Sequence, residues 1–283
     1  MERKITLVID EKNDLESIEH VLKKKLGFSS GLVARLKQSE NSVLNNGASA
    51  RMIDCVKTGD VLTVRVKEKN SSITAKNIPL EKLYEDEDIL AVNKKSGILS
   101  HPSRYEKDNT LINAVAGYIK GNAHIITRLD KDTSGVVLIA KNAHIANLLT
   151  EKMKEGEIKK EYVALLCGNP KLKKGTIDAP IEREENGSIK RCVREDGKSA
   201  VTKYEVTKEG DISFCKLFPI TGRTHQLRVH MKHIGTPICG DKLYGNEKNG
   251  NRLCLHCKKI SFCHPMTGKN IIIEAEIPKD MII

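Results

Sequence analysis

The chain has few aromatic residues and no apolar stretch of membrane-spanning length. It contains no tryptophan, and phenylalanine and tyrosine together make up 4% of its 283 residues. No segment approaches the roughly 18 uninterrupted apolar residues of a transmembrane helix. The first residues, Met1 to Ile5, also lack the apolar core of a signal peptide. The sequence therefore predicts a cytoplasmic protein that does not enter a membrane.

The cysteines do not indicate a disulfide framework. Eight are present, but most stand in apolar, strand-like surroundings, such as Cys167 after two leucines and Cys215 after Phe214. Cysteines in such surroundings usually behave as small buried apolar residues, and cytoplasmic proteins keep their thiols reduced. We therefore expect buried, reduced thiols.

Positive charge, in contrast, is in excess. Lysine and arginine outnumber aspartate and glutamate by 48 to 37, which gives a net charge of +11 and a pI near 9.2. This balance favours an acidic partner, with nucleic acid first and an anionic membrane surface second. Hydrophobic residues make up 39% of the chain, enough for a substantial core, and its length suits one large domain or two.

Residues 1–76 show the pattern of a small α+β domain. The predicted elements are a helix over 15–26 ended by Gly27, a second helix capped by Ser29 or Ser30, a hairpin at Asn46-Gly47 and a half-buried strand over 61–66. This order resembles the alpha-L RNA-binding module found in a small-subunit ribosomal protein and in many RNA-modifying enzymes. The resemblance implies RNA contacts from Arg35 and Lys37 on the second helix. The alternative is a small adaptor that only packs on its neighbour.

A polar stretch separates these residues from the rest of the chain. Residues 67–77 have almost no branched apolar side chains, as expected of a linker, and we place the domain boundary between 76 and 77. Beyond it, predicted strands alternate with helices up to Gly156, and mostly strands follow from Lys159 to Val206. This order predicts an α+β domain over 77–283 with a mixed, largely antiparallel sheet.

The centre of this second domain is a polar loop between two apolar segments. Residues 128–135, Arg-Leu-Asp-Lys-Asp-Thr-Ser-Gly, separate the apolar pair Ile125-Ile126 from an apolar run over 136–140. The pattern predicts a loop that presents polar groups and then enters a buried strand, and catalytic residues commonly lie on such loops. Taken alone, however, aspartates at these positions more often only cap a turn.

This loop resembles the catalytic motif of the RluA-type RNA pseudouridine synthases. Residues 160–164, Lys-Glu-Tyr-Val-Ala, and residues 221–230, Thr-Gly-Arg-Thr-His-Gln-Leu-Arg-Val-His, are similar to that family's second and third motifs, in the same order. The resemblance implies the pseudouridine synthase fold and conversion of uridine to pseudouridine in structured RNA, without metal or cofactor. An appended alpha-L module implies large-subunit ribosomal RNA as the target, with tRNA left open. We expect a monomer.

The resemblance assigns roles to individual side chains. Asp130 matches the catalytic aspartate, Arg228 matches the arginine that pairs with it and keeps it ionised, and Tyr162 matches the tyrosine that stacks on the target base. A guanidinium suits its task because it does not lose its proton. Three further residues are expected to contact RNA, namely Arg128, which would enter the space left by the displaced uridine, and Arg223 and His225 of the third motif.

Two other interpretations compete with this one. Four residues near the C-terminus could form a zinc site, because the first two have ligand-like spacing: Cys254, Cys257, Cys263 and His264. The same segment also resembles a strand of the family that leads into a His-Pro turn. The second alternative is a catalytically silent RNA-binding or ribosome-assembly factor on the same fold. The presence of all three motifs favours the enzyme.

Overall fold

The structure is a computed structural model that describes residues 2–67, 73–103, 106–185, 187–245 and 252–282. Residues 2–67 carry their own sheet and their own apolar core. The elements of this N-terminal unit are β1 (Glu2–Val8), α1 (Ile18–Leu26), α2 (Ser30–Lys37), β2 (Val43–Asn45), β3 (Ala48–Ser49) and β4 (Val61–Lys67). The strands pair antiparallel in the order β1-β4-β2-β3, and the apolar faces of both helices pack on this sheet. Of the predicted linker, residues 68–72 lie outside the described residues.

The predicted ends of several elements in this unit are confirmed. The Ser29 hydroxyl caps α2 by accepting a backbone N–H, and Gly27 ends α1 in the left-handed conformation, at φ 64°. Asn46 and Gly47 both have positive φ angles, as a tight hairpin requires. The alternating exposure of β4 matches the predicted half-buried strand.

The start of the first helix was predicted too early. Leu15 lies outside α1, has a φ of 60° and is largely exposed, although the sequence pattern put it on the apolar face. The cause is tertiary pairing, because the N–H of Leu15 donates to the Val56 carbonyl and Ser17 bridges to Cys55. The backbone up to Ser17 is thus held against a neighbouring segment, and α1 begins at Ile18.

The rest of the chain forms one large sheet with helices against it. Its elements are β5 (Lys82–Glu85), β6 (Ile89–Lys94), α3 (Leu111–Ile119), β7 (His124–Ile125), β8 (Ser134–Ala140), α4 (Ala143–Lys154), β9 (Lys159–Cys167), β10 (Lys174–Asp178), β11 (Ile181–Arg183), β12 (Arg191–Val193), β13 (Val201–Lys208), β14 (Ile212–Pro219), α5 (Gln226–His233), β15 (Leu255–Cys263) and β16 (Asn270–Glu274). Among the described residues, ten of these strands form the sheet, and β11 pairs with β12 apart from it. Every strand pair in the sheet is antiparallel except β15 with β8, which confirms the mixed, largely antiparallel sheet.

The long strand β15 joins the two halves of this sheet. It lies between β9 and β8, and Cys257 on β15 stands opposite both Tyr162 on β9 and Gly135 on β8. Gly135 has a φ of 113°, and a Cβ added to it would lie 2.3 Å from the Cys257 carbonyl oxygen. The missing side chain therefore lets β8 approach β15 where the polar loop enters the sheet.

The helices bury apolar faces on this core. The predicted caps of α4 are confirmed, because the Asn142 side chain accepts the Ile145 N–H at its start and Gly156, at φ 71°, follows its end. The helix predicted between Thr110 and Ile119 is also present, as α3. Within the described parts of the chain, no helix has both the length and the apolar character to cross a membrane.

The N-terminal unit contacts the large sheet at one edge. Arg3 on β1 bonds to Glu87 and donates to Asp88 at 2.9 Å, just before β6. The Phe28 ring meets the His144 imidazole edge-on, with 4.4 Å between the ring centroids. These contacts hold the unit beside the start of α4.

Candidate active site

Asp130 lies on the loop between β7 and β8. Its neighbours Ile126 and Leu129 are buried in the core, whereas the side chain of Asp130 is 28% exposed. The Thr127 hydroxyl accepts the N–H of Leu138 at 2.9 Å and so ties the start of the loop to β8. The loop therefore presents one accessible carboxylate from a well-anchored backbone.

The segment after β6 supports this loop by binding its carbonyls. The Ser100 hydroxyl donates to the Leu129 carbonyl at 2.8 Å, and the Ser96 hydroxyl donates to the Asp132 carbonyl at 2.7 Å. Both bonds satisfy backbone groups that the irregular loop cannot pair within itself. They fix the backbone on either side of Asp130.

Lys94, at the end of β6, supports the same loop with a charge. Its side chain is fully buried, and Nζ donates at 2.8 to 3.0 Å to three backbone carbonyls, those of Lys95, Ile98 and Lys131. Burial lowers the pKa of Lys94 to about 8, while Asp132 and Asp130 act in the opposite direction. A cation is thus held under the loop that carries Asp130.

Arg228, on α5, faces Asp130 but is held more closely by another carboxylate. Its Nη1 atom lies 3.5 Å from Oδ2 of Asp130, whereas Nε and Nη2 each donate at 2.7 Å to the two oxygens of Asp241. Burial lowers the pKa of Arg228, but the hydrogen bonds and charge of Asp241 outweigh it and raise the pKa above the usual value. The guanidinium therefore keeps its charge and its orientation.

His225, immediately before α5, also faces Asp130. Its Nε2 atom lies 4.0 Å from Oδ2 of Asp130, and its Nδ1 atom lies 2.8 Å from the hydroxyl of Tyr244. Burial lowers the pKa of His225, although Asp130 raises it in part. The Tyr244 ring also lies under the Arg228 guanidinium, with 5.0 Å to the ring centroid. One nitrogen atom of Arg228 and one of His225 thus face the same oxygen of Asp130.

Tyr162 lies within the sheet beside this cluster. It is buried on β9 opposite Cys257, with 7% of its surface exposed. Burial raises the pKa of Tyr162 well above its usual value, and Cys257 and Asp130 add to the shift. The phenol therefore keeps its proton at neutral pH.

The residues predicted to contact RNA lie in two places. Arg128 and Arg223 are exposed near the Asp130 loop and α5, and the Arg223 side chain donates to the Ser199 carbonyl at 2.9 Å. Arg35 and Lys37 lie on α2 in the N-terminal unit. Lys37 also bonds to Glu19 on α1 at 2.7 Å. The structure therefore does not bring α2 into the Asp130 cluster.

The residues of the zinc interpretation do not converge on one point. Cys254 is buried just before β15 and Cys257 is buried within it, whereas the Nε2 atom of His264 lies 3.1 Å from Asp86. The Cys263 thiol bonds to the Gly268 carbonyl. No group of three or more His, Cys, Asp or Glu side chains within the described ranges is arranged to hold a metal ion.

The sequence analysis missed Asp241 and Tyr244. Both lie in one turn, where the Asp241 carboxylate also accepts the backbone N–H groups of Leu243 and Tyr244. A signal was present, because an acid and one of the few aromatic residues stand between Gly240 and Gly245. Nothing in that spacing indicated that their partners are on α5.

Comparison with solved structures identifies the fold. The human protein RNA pseudouridylate synthase domain containing 1 superposes with a TM-score of 0.61 at 28% sequence identity, over 71% of this chain and 85% of that one. The human protein RNA pseudouridylate synthase domain containing 4 has the same fold, with a TM-score of 0.58 at 24% identity, over 71% and 90%. The predicted pseudouridine synthase fold is therefore confirmed.

Sequence comparison identifies the family. Residues 88–233, just over half of the chain, match the family described as RNA pseudouridylate synthase. An uncharacterized RNA pseudouridine synthase of Bacillus subtilis, YjbO, is 38% identical over 266 residues, which cover 91% of this chain and 94% of that protein. The ribosomal large subunit pseudouridine synthase D of Xanthomonas campestris is 34% identical over 278 residues, or 90% and 83%. The chain belongs to the RluA-type RNA pseudouridine synthases, as the motifs predicted.

The lowered pKa of Lys94 predicts a pH-dependent stability difference. Lysine titrates near 10.5 in an unfolded chain, whereas Lys94 titrates near 8 in the folded protein. Between these values the unfolded chain binds more protons, so Lys94 adds stability as the pH rises. The free energy of unfolding of the wild type should therefore increase relative to Lys94→Met by up to about 1.4 kcal/mol per pH unit from pH 8 to 10.

Urea denaturation at several pH values measures this difference. The matched control is Lys95→Met, which removes the exposed lysine next along the chain. The control should show no such slope against the wild type. If the difference in free energy of unfolding between the wild type and Lys94→Met does not change between pH 8 and 10, the lowered pKa of Lys94 is contradicted.

Proposed function

We propose that this enzyme isomerises specific uridines to pseudouridine in structured RNA, above all large-subunit ribosomal RNA, with Asp130 as the nucleophile and without a cofactor. The observation that carries the proposal is the accessible Asp130 carboxylate, which faces a buried arginine at 3.5 Å. Because Arg228 is itself held by two bonds from Asp241, its position does not depend on substrate. A carboxylate that faces a fixed guanidinium in this way keeps one direction.

The chemistry of the reaction supports these roles. Uridine becomes pseudouridine when the bond from ribose C1′ to base N1 breaks, the base turns, and C5 bonds to C1′; C5 loses its proton and N1 takes one up. The product has the same atoms and the same oxidation state as the substrate, so no redox agent or group donor is consumed. In the proposed sequence, Asp130 attacks the ribose, the detached base stays in the pocket and turns, and the rejoining of base and sugar releases Asp130.

Tyr162 is proposed as the surface on which the detached base lies. Its phenyl ring is fixed in the sheet by β9 and β15, so it can restrict the base without moving. The raised pKa argues against a second role as the base that removes the C5 proton, because a phenol acts as a base only when ionised. Tyr162 therefore contributes shape and stacking.

The RNA target is proposed from charge and from the relatives. Several relatives are named ribosomal large subunit pseudouridine synthase D, and the chain carries a net charge of +11. Arg128, exposed two residues before Asp130, is suited to fill the stack from which the uridine is displaced. Such a substrate would place the reaction in the cytoplasm. The enzyme is proposed to act as a monomer.

Residues 1–76 are proposed as an RNA-binding module of the alpha-L type. Their separate sheet and core support a unit with its own task, and Arg35 and Lys37 give α2 a basic end. The Lys37 bond to Glu19 and the packing of Phe28 on His144 favour a limited number of RNA contacts. The alternative is an adaptor that only packs on its neighbour, and the salt dependence of RNA binding distinguishes the two.

Asp130→Asn should reduce pseudouridine formation by at least about 1,000-fold, because a neutral amide keeps the shape of the carboxylate but is not a nucleophile. The assay maps pseudouridines in large-subunit ribosomal RNA from cells that lack this gene, after incubation with each purified protein. Asp132→Asn, an exposed aspartate on the same loop, is the control and should stay within a few-fold of wild type. If Asp130→Asn also stays within a few-fold of the wild-type rate, Asp130 is not the nucleophile.

Arg35→Ala combined with Lys37→Ala tests the N-terminal module in the full chain. If both side chains bind phosphate, the slope of log affinity against log salt should fall by about 0.7–0.9 for each lost contact. The rate with saturating RNA should not change, because α2 lies outside the Asp130 cluster. Lys12→Ala with Lys57→Ala removes equal charge from exposed positions outside α2. An identical salt slope in the two double variants would favour the adaptor.

A further inference from the structure

The hydroxyl of Tyr244 connects the backbone of β12 to the ring of His225. The N–H of Arg191 donates to the Tyr244 oxygen at 2.8 Å, and the Nδ1 atom of His225 lies 2.8 Å from the same oxygen. Tyr244 is buried, and burial raises the pKa of its phenol, so the hydroxyl proton is retained. This proton therefore needs an acceptor inside the protein.

The hydrogen bonds around Tyr244 favour one tautomer of His225. The backbone N–H of Arg191 donates a hydrogen bond to the Tyr244 oxygen, and the phenol hydroxyl can donate one hydrogen bond of its own. If the Tyr244 hydroxyl donates its hydrogen bond to Nδ1 of His225, then Nδ1 is the acceptor and carries no hydrogen. A neutral imidazole then carries its hydrogen on Nε2. Nε2 is the ring atom that faces Oδ2 of Asp130, at 4.0 Å.

The surroundings keep this imidazole neutral and in place. Arg228 and Arg191 face it with positive charge, and Asp130 and Asp241 face it with negative charge, while burial is the largest effect and lowers its pKa. The backbone of His225 is left-handed, at φ 57°, a conformation that non-glycine residues adopt at a cost. The Tyr244 contact and the start of α5 thus hold a strained residue in one orientation.

We propose that His225 is a positioning residue for Asp130, with Nδ1 fixed by the Tyr244 hydroxyl and the Nε2 hydrogen directed at Oδ2. The proposal rests on the proposed role of Asp130. Arg228 and His225 both face Oδ2, so the carboxylate is held through one oxygen and Oδ1 is the atom that attacks the ribose. His225, which the sequence analysis assigned to RNA contact, then acts through Asp130.

The tautomer can be measured without any turnover. Nitrogen NMR spectra of the full-length protein labelled with ¹⁵N histidine distinguish a hydrogen on Nε2 from one on Nδ1, and the signal missing from His225→Asn identifies the residue. Asparagine suits this position because it tolerates the left-handed conformation better than most residues. We expect the Nε2–H form near neutral pH in the wild type, and a measurable Nδ1–H population in Tyr244→Phe. Tyr204→Phe, at another buried tyrosine on β13, is the control and should leave the tautomer unchanged.

Kinetics separate positioning from RNA binding. His225→Asn should lower the single-turnover rate by about 10- to 100-fold, because the imidazole that faces Oδ2 of Asp130 is lost and the carboxylate is less well placed, while RNA affinity stays within about twofold. A predominant Nδ1–H form in the wild type would overturn the proposal. So would a His225→Asn variant with unchanged rate and weaker RNA binding. If the wild type forms no pseudouridine, the function proposed for Asp130 fails, and the NMR result still decides the tautomer.

Discussion

The buried pair of Arg228 and Asp241 is the interaction on which the site depends. Desolvating two opposite charges is expensive, and such a pair persists only when both partners find their full set of bonds. Here the guanidinium makes two bonds of 2.7 Å to a carboxylate with no exposed surface, and that carboxylate also binds two backbone N–H groups. The pair therefore fixes α5 against the turn at 241–244 and directs the third guanidinium nitrogen at Asp130.

The opposite side of Asp130 is fixed by the sheet. The parallel contact of β8 with β15 requires Gly135, and it determines where the loop before β8 ends. Lys94 then binds a carbonyl of this loop from the end of β6. Asp130 is thus placed between a loop anchored on β6 and β8 and the arginine anchored on α5. Tyr162, opposite Cys257, belongs to the same part of the sheet. The role proposed for Asp130 needs this rigidity, because misplacement of a reacting atom by about 1 Å can cost two orders of magnitude in rate.

The sequence predicted those features that depend on local chemistry or on a motif. Caps such as Ser29 and Asn142 and the Asn46-Gly47 turn follow from neighbouring residues alone, and the three motifs indicated the fold and the family. The features that were missed depend on contacts between distant segments. Leu15 has helical spacing, but pairing with Val56 keeps it outside α1. Asp241 was not predicted, because only the folded chain shows that it meets Arg228.

Charge alone was a poor guide to position for the same reason. Lys94 reads as a polar residue at the end of a strand, yet its ammonium group is buried among backbone carbonyls. Lys37 was predicted to contact RNA because of its position on α2, and the structure shows that it also bonds to Glu19 on α1. In both cases the partner comes from a different element of the fold. Only the folded chain shows whether a lysine is buried under a loop or lies at the surface.

The most direct test of whether Arg228, held by Asp241, positions Asp130 is the rate of C5 proton loss in the Arg228→Lys variant. RNA tritiated at uracil C5 releases tritium when pseudouridine forms, and a single-turnover experiment with excess enzyme excludes effects of product release. A lysine cannot hold Asp241 at two points and face Asp130 as well. In the Arg228→Lys variant, tritium release should be slowed by about 100-fold or more, and RNA affinity should stay within about twofold of the wild type. A rate within a few-fold of wild type would contradict this role of Arg228.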